Sequence, residues 1–221
     1  MDLAAIAKLL QPFLAAPVLT SAQLTQISDY LHLLLRWNAR INLTAVRKAE
    51  YIVTRHFGES LFAAGQLFPA NQQPPATRLI DVGSGAGFPG LPIKLWAPYL
   101  QLTLIESNQK KATFLREVIR KLSLEGADVF CGRAEDFAQQ AEVVTLRAVE
   151  RFETTLSTAA RLVAPGGRLM LLVGQAQVAR ALQLLPSLHW QGPLPMPLSS
   201  NRVALIARCP TEEESRSLRT D

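Results

Sequence analysis

The chain has 221 residues, 48% hydrophobic and 19% charged, with a formal net charge of +5. That mixture supports a packed core and excludes a disordered polyelectrolyte, while two cysteines, Cys131 and Cys209, give neither a disulfide framework nor a zinc spacing and suit a reducing cytosol. No apolar run reaches the ~18 residues of a membrane span, and the positive excess suits a polyanionic partner.

In chain order, "MDLAAIAKLLQPFLAAP" reads as an amphipathic helix: Asp2 stands where a signal peptide needs a basic residue, and Lys8 and Gln11 interrupt the apolar run. "SAQLTQISDYLHLLLRWNARINL" carries Leu24, Ile27, Tyr30, Leu31, Leu34 and Leu35 at helical spacing, with Ser21 the expected N-cap. "EYIVTRHFGESLFAAGQLF" is a further amphipathic segment. "PANQQPPATR" then reads as a linker. From Arg78, short apolar runs alternate with helical patterns, from "RLIDV" through "LQLTLIE", "ADVFC" and "EVVTLR" to "GRLMLLV". This rhythm predicts a parallel sheet with helices on both faces, a doubly wound Rossmann-like α/β domain over 76–210. "NRVALIARC" suits the final strand. A helical cap over 1–75 precedes the domain, and a charged tail over 211–221 is expected to fray.

The stretch "RLIDVGSGAGFPGLPIKL" concentrates the chemistry. Gly83, Gly85 and Gly87 follow a strand at alternate positions, where they allow sharp turns and close approach of a ligand. A helix starting near Phe88 would offer its amides to an anionic group. The dinucleotide fingerprint G-x-G-x-x-G does not fit, because Phe88 stands at the third glycine. D-x-G-x-G-x-G instead resembles the first motif of S-adenosylmethionine-dependent methyltransferases. Glu106 ends the next strand, where an acid can accept both hydroxyls of a ribose. In "CGRAEDF", the backbone of Ala134 and Glu135 falls where such enzymes place the adenine.

"VVTLRAV" closes the fourth strand. It has no Asp/Asn-Pro-Pro-aromatic tetrad, and neither cysteine is placed as a nucleophile. Arg147 stands there instead. The chemistry then needs an acceptor with a free lone pair, such as N7 of guanine. Attack on a sulfonium methyl requires alignment and electrostatic steering rather than a base. Arg147 is the expected orienter of cofactor or base.

"RWNARINLTAV" (36–46), "RHFGESL" (55–61), "DVGSGAGFPGLPI" (81–93), "LIESNQKKATFLREV" (104–118), "GRAEDF" (132–137) and "LRAV" (146–149) together resemble the small-subunit ribosomal RNA guanine-N7 methyltransferase family (RsmG, glucose-inhibited division protein B). The resemblance implies S-adenosyl-L-methionine as cofactor and N7 methylation of one guanine in the 16S decoding-region loop. It implies small-subunit ribosomal RNA, or the assembling subunit, as partner. It implies a cytoplasmic enzyme, and we expect a monomer with no metal and no membrane contact. Cofactor contacts are implied at Gly83, Gly85, Gly87, Phe88, Glu106, Ala134, Glu135 and Arg147. Arg147, Asn38, His56 and Arg55 are the implied catalytic group, with Asn42 beside them near the mouth of the site.

The sequence departs from the family pattern at Val173, where a lysine is usual, and at Glu59, Glu142 and Gly126. Arg36, Arg40, Arg47, Lys48 and Arg55 form a basic group in the N-terminal part, and Lys110, Lys111, Arg116, Arg120 and Lys121 crowd one helix. Such residues supply phosphate contacts. Other readings of the same residues are a methyltransferase for another RNA or a small molecule, an assembly factor that binds without transferring, and, more distantly, a dehydrogenase.

Overall fold

Alternation along the strands decides the layers. In β5 (Val163–Gly174), Leu169, Leu171 and Val173 join the core on one face, while Met170 and Leu172 join the core on the other. This is the period of two that a sheet buried on both sides requires. The computed structural model describes residues 1–15, 19–69, 77–148 and 151–217. Six further strands are β1 (Arg78–Val82), β2 (Gln101–Ile105), β3 (Ala127–Phe130), β4 (Ala141–Arg147), β6 (His189–Pro195) and β7 (Arg202–Arg208). They form one sheet in the order β3-β2-β1-β4-β5-β7-β6. The first five strands are parallel, as expected. β7 pairs antiparallel with both β5 and β6, so the sheet is mixed rather than wholly parallel. The chain reverses between β6 and β7 through a short turn, and a short connection can only join antiparallel neighbours.

The helices are α1 (Leu3–Leu10), α2 (Ser21–Ile41), α3 (Ala49–Ile52), α4 (Glu59–Leu67), α5 (Gly90–Trp96), α6 (Gln109–Lys121), α7 (Phe152–Arg161), α8 (Val178–Leu184) and α9 (Glu212–Ser217). The N-terminal helices share one core with α5, α6 and one face of the sheet, and α7 and α8 cover the other face. Phe114, Leu115 and Val118 of α6 are fully buried, and each such side chain contributes roughly 1.5–3 kcal/mol. Between α3 and α4 the chain makes a π-helical turn, Val53–Gly58. A Cβ on Gly58 would stand 2.6 Å from the ring of Phe13, so this glycine permits the close packing of the turn on the N-terminal segment.

Several expectations change. The N-cap of α2 is Thr20, not Ser21: Thr20 Oγ1 accepts from Gln23 N at 3.2 Å, and Gln23 Oε1 accepts from Thr20 N at 2.9 Å. This reciprocal capping box satisfies two amides at once, which Ser21 could not do from inside the helix. The tail is helical over α9, where Glu214 pairs bidentately with Arg208 at 2.8 Å. The expected linker falls mostly on residues 70–76, which lie outside the described residues, as do Val149 of the "LRAV" motif and 218–221. Val173 is buried in the core beneath α7 and α8.

Candidate active site

The strand order reverses between β1 and β4, and a cleft of about 760 Å³ opens at the carboxyl ends there, as open α/β sheets dictate. Val82 and Gly83 reach it from β1, Glu106 from β2, Gly132 to Glu135 from the segment after β3, and Arg147 and Ala148 from β4. Thr44 and His56 close it from the helical side.

The glycines of the loop do different work. Gly83, Gly85 and Gly87 all have positive φ, at 67°, 57° and 89°. A Cβ on Gly85 would meet nothing nearer than Gly83 O at 3.8 Å, so Gly85 leaves open space beside the cleft. A Cβ on Gly87 would stand 2.4 Å from both Leu91 Cδ1 and Tyr30 Oη. Gly87 faces protein, not the cleft, contrary to its expected cofactor contact. Its hydrogen makes room for Tyr30, whose hydroxyl donates to Ala86 O.

The helix after the loop starts at Gly90, two residues later than expected, and its leading amides turn inward. Gly90 N donates to Asp81 Oδ2 at 3.2 Å, and Gly87 N and Phe88 N donate to Ser84 O. Asp81 is fully buried and also accepts from Thr145 Oγ1 at 2.7 Å, from the neighbouring residue on β4. The expected ligand anion at this helix start is thus replaced by a side chain of the protein. Burial pushes the Asp81 carboxyl up to about 6, against the opposing pull of Thr145, Gly90, Ser84 and Arg147. In the sequence Asp81 stands only as the first residue of D-x-G-x-G-x-G, with no role of its own. Its place before the glycines was the available signal.

Glu106 is buried at the end of β2. Its two oxygens accept from Gly85 N at 2.8 Å and Asn108 N at 2.7 Å. It therefore fixes the loop's shape while lining the cleft. Each carboxylate oxygen keeps further acceptor capacity for a ligand hydroxyl. Ala134 and Glu135 lie on a short 3₁₀ turn, and Arg161 holds the carbonyl of Glu135 at 3.0 Å. Phe88 lies between two rings, stacked at 5.4 Å on Tyr30 and at 5.0 Å on His56, with only its edge at the cleft.

Period-two geometry on β4 puts Thr145 and Arg147 on the same face, toward the helical cap. There Arg147 donates to His56 Nδ1 at 2.9 Å, Arg55 O at 2.6 Å and Glu59 Oε2 at 3.0 Å. Glu59, only 2% exposed, uses its other oxygen to accept from Arg202 Nε at 2.6 Å. An arginine can only donate, so His56 Nδ1 accepts; its Nε2 then carries the proton and donates to Thr44 Oγ1 at 2.8 Å. Burial, then the charges of Arg147, Arg55 and Arg202, lower the His56 pKa to about 3. The ring is neutral and its lone pair is engaged. Ala148, the next residue, holds a left-handed φ of 48°, a strained backbone at the cleft.

Asn38 is buried behind this group. Its Oδ1 accepts from Thr44 N at 2.8 Å, so it shapes the turn that carries Thr44 and does not line the cleft. Asn42 ends α2 at φ 49° and ties down Arg47 at 2.7 Å. Arg55 contributes its carbonyl to Arg147, and its exposed side chain does not line the cleft. Of the four expected catalytic residues, Arg147 and His56 face the cleft and Asn38 and Arg55 support them. Glu59 and Arg202 were not foreseen as partners. Their positions lie 143 residues apart, and nothing in either segment marks the contact.

Among the described residues no group of side chains is placed to hold a metal ion, and no helix is long and apolar enough to cross a membrane. Residues 23–191 match the family model described as "rRNA small subunit methyltransferase G". The chain is 40% identical over 164 residues to the ribosomal RNA small subunit methyltransferase G of Streptococcus pyogenes serotype M12, covering 72% of this chain and 68% of that one. Two solved structures share the fold. A predicted O-methyltransferase from Agrobacterium tumefaciens has TM-score 0.52 and 21% identity over 62% of this chain and 76% of that one. TYW2 of P. horikoshii in complex with MeSAdo has TM-score 0.56 and 16% identity over 69% and 62%.

Proposed function

The chain belongs to the rRNA small subunit methyltransferase G family, and on that premise we propose that it moves the methyl group of S-adenosylmethionine to N7 of a guanine in small-subunit (16S) rRNA. We take the partner as the RNA of the mature or assembling small subunit, met in the cytoplasm by a monomer.

The cofactor suits the residues present. The cleft volume lies within the roughly 300–1,000 Å³ of small-molecule sites. Gly85 leaves open the space a Cβ would fill, and Glu106 offers a carboxylate to ribose hydroxyls. The start of α5 is not free for a pyrophosphate, since Gly90 N donates to Asp81. When bound, the sulfonium supplies an activated methyl group. The chain's own part is placement. Glu106 would hold the ribose, the Gly83–Gly85 turn would hold the amino-acid end, and the segment at Ala134 and Glu135 would border the base.

One observation carries the choice of acceptor: the histidine at the cleft is not a base. His56 is neutral, and its single lone pair already accepts from Arg147. An acceptor that must lose a proton would find no help there. N7 of guanine has an in-ring lone pair and no proton to lose. Three of Arg147's five N–H groups are engaged by His56, Arg55 and Glu59, which leaves two donors on a side chain that lines the cleft. Donation to guanine O6 would orient the ring without blocking N7. A preorganised guanidinium of this kind contributes by alignment and electrostatics.

The test is incorporation of labelled methyl groups from S-adenosylmethionine. Small subunits stripped of the modification are expected to accept label, and already modified small subunits and large subunits are not. Equal labelling of all three would sink the reading.

A further inference from the structure

Among the described residues Tyr51 is the one exposed aromatic ring, 57% accessible. An aromatic ring gains by burial, so its position on α3 in water needs a reason. Its neighbours supply one. Lys48 Nζ sits 5.9 Å from the centre of the ring, and Arg55 follows one helical turn later. All three side chains are exposed. Among the described residues neither Lys48 nor Arg55 has a carboxylate within ion-pair distance, although Glu50 lies in the same segment. Other exposed arginines, Arg78 and Arg180, have theirs in Glu142 and Glu153. Lys48 and Arg55 thus flank this exposed ring in sequence with their charges unpaired.

The place matters as much as the composition. Arg55 immediately precedes His56, which lines the cleft, and its charge is felt by both His56 and Arg147. The segment is held firmly: the neighbouring Ile52 and Val53 are fully buried, and the π turn is seated on Phe13. The ring is therefore presented on a rigid support, in the segment that leads into the cleft-lining His56.

We propose that Lys48, Tyr51 and Arg55 form a landing platform for a single-stranded segment of the RNA substrate, with an unpaired base near the target stacking on Tyr51 and the flanking phosphates meeting Lys48 and Arg55. The proposal rests on the reading of the substrate as RNA. An unpaired base offers a π-face of any sequence, and aromatic platforms flanked by cations hold such strands. Lys48 already approaches the ring, and a base would share that cation–π contact. A base held outside the cleft also keeps the strand from closing back into a helix, which leaves the next guanine free to enter.

The experiment is equilibrium binding of a short fluorescein-labelled single-stranded RNA to the full chain, with the matching RNA duplex as comparison. Tyr51→Ala is expected to weaken single-strand binding about tenfold, the order of one lost base–aromatic stack, with little change for duplex. Tyr51→Trp should keep wild-type binding. Lys48→Gln should lower the salt dependence by about one phosphate contact, a slope change of about 0.7, whereas Tyr51→Ala should leave the slope alone. Cofactor binding by both variants reports that they are folded. In turnover on stripped small subunits, Tyr51→Ala should raise KM and leave kcat within about twofold. Wild-type binding by Tyr51→Ala, or equal losses for single strand and duplex, would overturn the platform. Intact RNA binding with a defect on whole subunits alone would assign this face to a ribosomal protein and also overturn it. Because the binding arm needs no methyl transfer, a failure of the methylation reading would appear separately, as wild-type protein that binds RNA but does not label it.

Discussion

Gly85 and Gly87 lie two residues apart with similar backbone demands and opposite surroundings. Either alanine variant is strained by its positive φ, at roughly 1–2 kcal/mol. Gly87→Ala also drives a methyl against Tyr30 and Leu91, and overpacking of that kind costs about 1–3 kcal/mol more. Gly85→Ala meets open space beside the cleft. Urea denaturation should therefore rank Gly87→Ala as the less stable variant, and titration with S-adenosylmethionine should rank Gly85→Ala as the weaker binder relative to its folded fraction. The reverse order on either measurement would contradict the assignment. The sequence showed that this loop needs glycines, because alternate glycines after a strand have few other uses. It could not show which hydrogen faces the ligand, since that depends on Tyr30, a residue 57 positions away. Glu59 was likewise visible only as one methylene more than the usual aspartate. That it gathers Arg147 and Arg202 follows from the sheet bringing β4 and β7 to the same helix.

At the scale of elements, β1, its loop and α5 are joined through Asp81. This buried acid and the part-buried His56 titrate in opposite senses. His56 has its pKa at about 3 in place of 6.5, so the unfolded chain takes up a proton that the native state refuses, and stability falls as pH drops through that interval. Asp81 has its pKa raised from 3.8 to about 6, so the native state takes up the proton first, and this contribution is lost as pH rises through about 6. Between about pH 6 and pH 4 the two offset each other, one proton apiece. Asp81→Asn removes one side of the balance while its amide can still face Gly90 N and Thr145 Oγ1. Relative to the parent, its stability should decline by up to about 1.4 kcal/mol per pH unit on acidification across that window. Parallel pH profiles from urea denaturation would refute this pairing. The elements themselves were mostly legible: every strand from β1 to β5 followed from short apolar runs between helical patterns. The π turn at Val53–Gly58 was not, because it is set by the fit of Gly58 on Phe13 and not by local periodicity. The antiparallel return of β7 was not either, since a closing strand reads the same in both directions.

At the scale of the molecule, a helical cap and a doubly wound sheet share one core, and the cleft lies where both contribute. The sheet side carries Gly85, Glu106, Ala134 and Glu135. The cap side carries Thr44, His56 and, behind them, Asn38 and Glu59. Among the described residues Arg147 is the one cleft-lining side chain of the sheet that hydrogen-bonds to the cap, so the orientation of the acceptor is placed on it. The overall arrangement was readable from the order of motifs. The partition of labour within it needed the contacts between segments far apart in sequence. The most direct measurement maps the product: stripped small subunits are incubated with the protein and S-adenosylmethionine, and N7-methylguanine is located by reduction and aniline cleavage of the RNA. A single cleavage is expected, in the small-subunit RNA, that is lost in Arg147→Ala while that variant still binds cofactor. Methyl groups found at any position other than guanine N7, or a wild-type yield from Arg147→Ala, would contradict it.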